Sequence, residues 1–176
     1  MHIIIDGYNL IRQSDSLRRI ERLGLERGRS ELIRRVAAYR RSKGHRVTVV
    51  FDGWLDGSAK EERLREDGVT VIYSRRGETA DEVIKRMARV ERGTELVVVS
   101  SDREVADAVT RAGGVAISSP EFEERMGGKE IASMPSDDEA PEENDGITPR
   151  SGTRKKGTAR RRSRRERQVR RRLSKL

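Results

Sequence analysis

Five short runs of Val and Ile, none long enough for a buried helix, set the terms on which this chain folds. They lie at residues 2–5, 47–51, 69–73, 96–99 and 115–117. Continuous apolar runs of about four to eight residues suit strands covered on both faces, as in a parallel sheet. The segments between them carry helical spacing. Leu32, Ile33, Val36, Ala37 and Tyr39 mark one face of a helix over residues 30–43, closed by Gly44. Val83, Ile84, Met87, Ala88 and Val90 mark a second, closed by Gly93. Val105, Ala106, Val109 and Ala112 mark a third, closed by Gly113-Gly114. A short helix is expected between the second and third runs, and a last one from Pro120 with Ser119 as its cap. Residues 11–29 read as a short helix and loop. Strand and helix therefore alternate as in one doubly wound α/β domain with right-handed crossovers.

Charge divides the chain. Charged residues make up 39% of it and hydrophobic ones 33%, against roughly 25% and 45–50% in an ordinary domain. Residues 1–130 carry 25 basic and 23 acidic groups, a net of +2. Residues 131–149 carry six acidic groups and no basic one, and residues 150–176 carry 14 basic groups and one acidic, a net of +13. This predicts a near-neutral folded domain over 1–130, an acidic linker with Pro135, Pro141 and Pro149 over 131–149, and a basic disordered tail over 150–176. Residues 157–173 would form a helix on an anionic partner but repel themselves alone. Without Cys there is no disulfide frame, thiolate zinc site or cysteine nucleophile. No apolar run approaches the 18 or so residues of a membrane span, and the N-terminus lacks a signal-peptide pattern. A cytoplasmic protein is the simplest expectation.

Three of the apolar runs end alike. Asp6 follows Ile3-Ile4-Ile5, Asp52 follows Val49-Val50-Phe51, and Asp102 follows Val97-Val98-Val99-Ser100-Ser101. Ligands of open α/β sheets bind outside the carboxyl ends of the strands, where the strand order reverses. If the strands concerned are neighbours, the three carboxylates converge, joined by Glu78 and Asp81 at the start of the helix leading to the fourth strand. Two unit charges 4 Å apart repel by roughly 4 kcal/mol at an effective dielectric of 20, so such a cluster calls for a cation. All-oxygen donors suit Mg²⁺ or Mn²⁺. The alternative is helix capping. Thr79-Ala80-Asp81-Glu82 and Ser101-Asp102-Arg103-Glu104 both match the capping box, and Asp52-Gly53 is a turn signal. Asp6 fits capping least, since Gly7-Tyr8-Asn9 does not announce a helix. Asn9 reads equally as a turn residue or a polar group aimed at a water or phosphate.

The motif Ile3-Ile4-Ile5-Asp6-Gly7-Tyr8-Asn9-Leu10-Ile11 resembles the opening strand and loop of NYN-domain ribonucleases of the PIN-like superfamily. Val49–Gly53, Gly77–Glu82 and Val98–Asp102 then follow in the order of the YacP-like branch, over residues 2–127. The resemblance implies a three-layer α/β/α domain on a five-stranded parallel sheet in the order 3-2-1-4-5. It also implies a divalent-metal-dependent ribonuclease. Carried over motif by motif, Asp6, Asp81 and Asp102 form the acidic centre, with Asn9, Asp52 and Glu78 beside it. The branch includes an endoribonuclease acting on translating ribosomes, which makes the ribosome a candidate partner beside RNA.

Arg12, Arg75, Arg76 and Arg103 lie near the same predicted edge and are candidates for holding phosphates; Tyr8 and Trp54 are candidates for stacking on bases. His2, read as sheet surface, and His45 are assigned no role. Arg160, Arg161 and Arg162 open a tail that would add sequence-independent affinity for RNA, without the apolar face a membrane anchor needs. The expected activity is a metal-dependent endoribonuclease cutting single-stranded RNA and leaving 5′-phosphate and 3′-hydroxyl ends. The rival is a non-catalytic RNA-binding or ribosome-associated module on the same fold. A nucleotide-binding protein is disfavoured, and no small-molecule cofactor is expected, because neither phosphate-loop fingerprint is present.

Overall fold

The computed structural model describes residues 1–53, 59–91, 95–127 and 164–176, with side chains of the last segment from residue 169. The chain opens with β1 (His2–Asp6), then α1 (Gly7–Gln13), α2 (Asp15–Glu21) and α3 (Leu25–Lys43). Next come β2 (Arg46–Phe51), β3 (Glu62–Glu66), β4 (Val69–Tyr73) and α4 (Ala80–Val90). The rest is β5 (Leu96–Val99), α5 (Arg103–Arg111), β6 (Val115–Ile117), α6 (Ser119–Gly127) and α7 (Arg164–Leu173).

The sheet runs β3-β4-β2-β1-β5-β6. Its five apolar strands are parallel and stand in the order the family resemblance implies. The sheet is nevertheless six-stranded and mixed, because β3 pairs antiparallel with β4, where a short helix was expected. Glu62-Arg63-Leu64-Arg65-Glu66 has no apolar run to betray a strand, and it is exposed along most of its length. Its signal is the two-residue turn Asp67-Gly68, with φ of 49° and 81°, the left-handed pair a tight hairpin requires.

Side-chain parity separates two cores. Ile3, Ile5, Val49, Phe51, Val97 and Val99 face the layer built from α1, α3 and α6. Ile4, Val50, Ile72 and Val98 face α4 and α5. With both faces covered, the runs can be apolar throughout, as the sequence is. Gly44 closes α3 in the left-handed conformation, as expected. Gly93 lies outside the described residues. The mixed segment 11–29 resolves into α1, α2 and the first turn of α3.

The end of the chain departs from the expected disordered arm. Residues 164–173 are helical, and Val169, Leu173 and Leu176, spaced four and three apart, pack on the larger core. Arg172 donates to the Gly113 carbonyl (2.8 Å), Arg125 to that of Leu173 (2.6 Å) and the Tyr39 hydroxyl to that of Leu176 (2.9 Å). Apolar burial anchors a helix whose charges alone would argue against it. Residues 128–163, and with them Arg160, Arg161, Arg162 and the acidic linker, lie outside the described residues, as does Trp54.

Candidate active site

The carboxyl edge of the sheet has its switch point between β1 and β5, where the chain, having built outward through β2 and β4, returns to the other side. Asp6 ends β1 there. It is 6% exposed, and its carboxylate accepts from the Asn9 backbone N–H (3.1 Å) and the Ser100 hydroxyl (3.2 Å). Asp6 therefore does cap a helix, contrary to the sequence reading: α1 starts at Gly7. Gly7 is required because a Cβ there would lie 2.3 Å from the Phe51 ring, inside the core that brings α1 onto the sheet.

Asp102 follows β5 and caps α5 itself, accepting from the Val105 N–H (3.0 Å), so the cap stands one residue beyond Ser101. Asp81 lies in the first turn of α4, behind the capping box of Thr79 and Glu82. Asp52 leaves β2 and accepts from the Ala80 N–H (2.6 Å), which ties the β2 end to the α4 start. Gly53 follows because a Cβ would meet the Ser74 carbonyl oxygen at 2.0 Å. These four carboxylates line one cleft of about 320 Å³, together with Tyr8, Asn9 and Arg12.

Their electrostatics are those of crowded acids. Burial pushes Asp6 up to about 6, and Asp81 and Asp52 push the same way against the pull of Asn9 and Ser100. Asp81 is also raised, by burial first, then by Asp102, with Lys85 opposing and Asp52 and Glu104 adding to the rise. Among the described residues no three carboxylates or imidazoles stand close enough to cage an ion as arranged here. The donor set of the cleft still fits a hard cation: it is all oxygen and multiply anionic, and a cation would relieve the repulsion between its carboxylates.

A model of the YacP-like NYN domain matches residues 3–174. The chain belongs to the YacP-like NYN family. This is a nuclease-type family. The protein YacP of Bacillus subtilis strain 168 is 34% identical over 102 residues, which cover 57% of this chain and 59% of that protein. The crystal structure of Rae1 (YacP) from Bacillus subtilis superposes with a TM-score of 0.63 at 29% identity, covering 75% of this chain and 76% of that one. A variant of the same protein gives 0.62 at 28%, covering 74% and 77%.

The remaining NYN-motif candidates separate on geometry. Asn9 lies in α1, and its side-chain oxygen accepts from the Ser101 N–H (3.0 Å) and the Ser119 hydroxyl (2.8 Å), binding the ends of β1, β5 and β6 together. Ser119 is thus engaged, and Ser118 caps α6 in its place. Glu78 does not line the cleft: it is held between Arg75 (3.2 Å) and Arg86 (3.3 Å). Arg76 and Arg103 are exposed outside the cleft lining. Of the four arginines proposed for phosphate binding, Arg12 alone lines it. Tyr8 is 7% exposed, its ring edge-on to Phe51 at 5.1 Å, so it has no free face for a base. His2 is buried at the opposite edge of the sheet, bonded to Glu91 and Thr48, and is not sheet surface.

The sequence reading missed Ser100. Its hydroxyl donates to the Asp6 carboxylate and accepts from the Asp102 backbone N–H (3.2 Å), so one buried side chain ties Asp6 to the main chain that carries Asp102. Its signal was the polar interruption of an apolar run just before Asp102.

Proposed function

We propose that this chain is a divalent-metal-dependent endoribonuclease cutting single-stranded RNA, mRNA on the ribosome included, by attack of water on a phosphodiester. One observation carries the reading: four aspartates from four separate segments line a single cleft at the sheet's switch point, though they repel one another. A protein that only bound RNA would gain nothing from negative charge where the phosphate must lie. Asp6, Asp81 and Asp102, with Asp52 beside them, would hold Mg²⁺ or Mn²⁺, which supplies an ionised water and neutralises the phosphodiester's charge. The chain's own groups do the positioning. Ser100 and the Asn9 N–H fix the two oxygens of Asp6, and the Asn9 side chain locks the loops around it. Arg12 offers the cleft its cation, suited to the phosphate beside the cut.

The test pairs Mn²⁺ calorimetry with cleavage of naked and ribosome-bound RNA, for the full chain and Asp6→Asn. We expect saturable Mn²⁺ binding that the substitution abolishes, a rate at least about a hundredfold lower, and 5′-phosphate ends on the products. RNA binding without cleavage in either setting would replace this reading with the RNA-binding module.

A further inference from the structure

Beside the cleft three aromatic rings form a ladder: Tyr8 meets Phe51 edge-on at 5.1 Å, and Phe51 stacks on Tyr73 at 5.7 Å. A guanidinium lies over each end. Arg12 stands 5.6 Å from the Tyr8 centroid, and Arg29, in the second turn of α3, stands 5.5 Å from that of Tyr73. Gly28 puts Arg29 there: a Cβ at that position would crowd Glu21 at 3.0 Å, so its absence lets α3 close on α2.

Arg29 is unusual in its bonding. Its Nε is buried and has no hydrogen-bond partner. Neighbouring arginines find carboxylates, Arg75 and Arg86 on Glu78, Arg34 and Arg35 on Glu31. Arg12 and Arg29 share the lack of an ion pair with other arginines; among the described residues they are set apart as the two that lie over rings. Tyr8 lines the cleft, and the ring contacts lead from it through Phe51 and Tyr73, at the ends of β2 and β4, to Arg29 outside the lining. An arginine needed only for packing would turn its polar end to water or to a carboxylate. This one is held at Tyr73, by its ring and its hydroxyl, and pairs with no carboxylate among the described residues.

We propose that Arg29 and Arg12 form a two-point phosphate grip flanking the carboxylate cleft, in which Arg12 takes the RNA phosphate next to the cut and Arg29 one further along the strand. The inference rests on the nuclease reading for its substrate, but not for its measurement. The acidic cleft repels the strand it must hold, so cations fixed on rigid rings at its flank supply the missing attraction without neutralising the carboxylates.

The experiment measures binding of a short labelled single-stranded RNA to the full chain by fluorescence anisotropy, in EDTA and over a range of salt. Arg29→Met should weaken binding about five- to tenfold and lower the salt slope by about 0.7, the value for one lost phosphate contact on a single strand. Arg29→Lys should keep the slope and lose part of the affinity. Arg89→Met removes the same charge from an exposed site on α4 and should leave both nearly unchanged. Arg29→Gln repeats the measurement if the Met variant does not fold. Wild-type slope and affinity in a folded Arg29 variant would overturn the grip, as would an equal loss in Arg89→Met. Wild type that binds no RNA would overturn the grip; the nuclease reading falls separately, if wild type with Mn²⁺ cuts neither naked nor ribosome-bound RNA.

Discussion

Asp6 is a residue the fold tolerates at a cost. An acid whose pKa is raised in the folded state contributes stability that is present below its unfolded value of 3.8 and lost as pH rises through about 6. At pH 7 Asp6 is charged and works against folding. Asn keeps the cap on α1 and removes the charge, so Asp6→Asn should be more stable than wild type at pH 7 by about 1–3 kcal/mol, an advantage that fades towards pH 4. Urea unfolding at the two pH values checks this, and a destabilised Asp6→Asn at pH 7 would contradict the burial argument. Gly53 makes a second case. The obstacle to a side chain there is the Ser74 backbone carbonyl, which cannot rotate away. Gly53→Ala should cost about 1–3 kcal/mol by overpacking, and it should also pull Asp52 off the Ala80 N–H and weaken Mn²⁺ binding.

At the scale of elements, α4 holds Asp81 in place through its N-terminal turn. The Thr79 hydroxyl accepts from the Glu82 N–H (3.3 Å), and the Glu82 carboxylate accepts from the Thr79 N–H (3.0 Å). Thr79→Ala should cost about 0.5–2 kcal/mol in thermal or denaturant unfolding, and Thr79→Ser should restore most of it. Here the two readings of the acids merge. Asp6 and Asp102 are helix caps and cleft carboxylates at once, because strands that end at one edge feed helices that start there. Capping and cation binding call for the same carboxylate in the same place. The capping pattern was legible before α4 and α5. It was illegible before α1, whose seven residues are too few to show a period. The edge strand β3 was missed for a related reason: exposed on its flank, it needs no apolar residues, and only Asp67-Gly68 marks it.

For the whole molecule, the decisive element is α7. The family match extends through it, and its apolar residues help close the larger core. Replacing Leu173 and Leu176 together with Asp should lower the unfolding midpoint by the equivalent of about 2–5 kcal/mol, the range for losing buried aliphatic side chains. Replacing Arg170 and Arg171, both exposed, with Gln should leave it nearly unchanged. An unaffected midpoint in the double Leu variant would return this segment to the free arm that its charge suggests. The described end of α7 lies against the residues before β5 and β6, through the Lys175–Glu95 pair (2.9 Å) and the Arg172 bond to Gly113. That end therefore sits at the edge of the sheet away from the aspartates, and its described arginines, Arg170, Arg171 and Arg172, do not line the cleft.

The sequence by itself determined the five parallel strands, the two-sided burial that makes them apolar throughout, and the edge at which Asp6, Asp52 and Asp102 emerge. Those are local properties: a run of Val and Ile, a period, a polar residue at the end of a strand. Only the tertiary structure decided which polar groups share a space. It brought Ser100 between Asp6 and Asp102, set Arg29 on Tyr73, moved Glu78 from the cleft to a pair of arginines, and turned Tyr8 into the core. Residues distant along the chain meet there through sheet order and helix packing, and no local pattern encodes such meetings. The same holds for α7, where three apolar side chains among many arginines carry no weight until a surface exists to bury them.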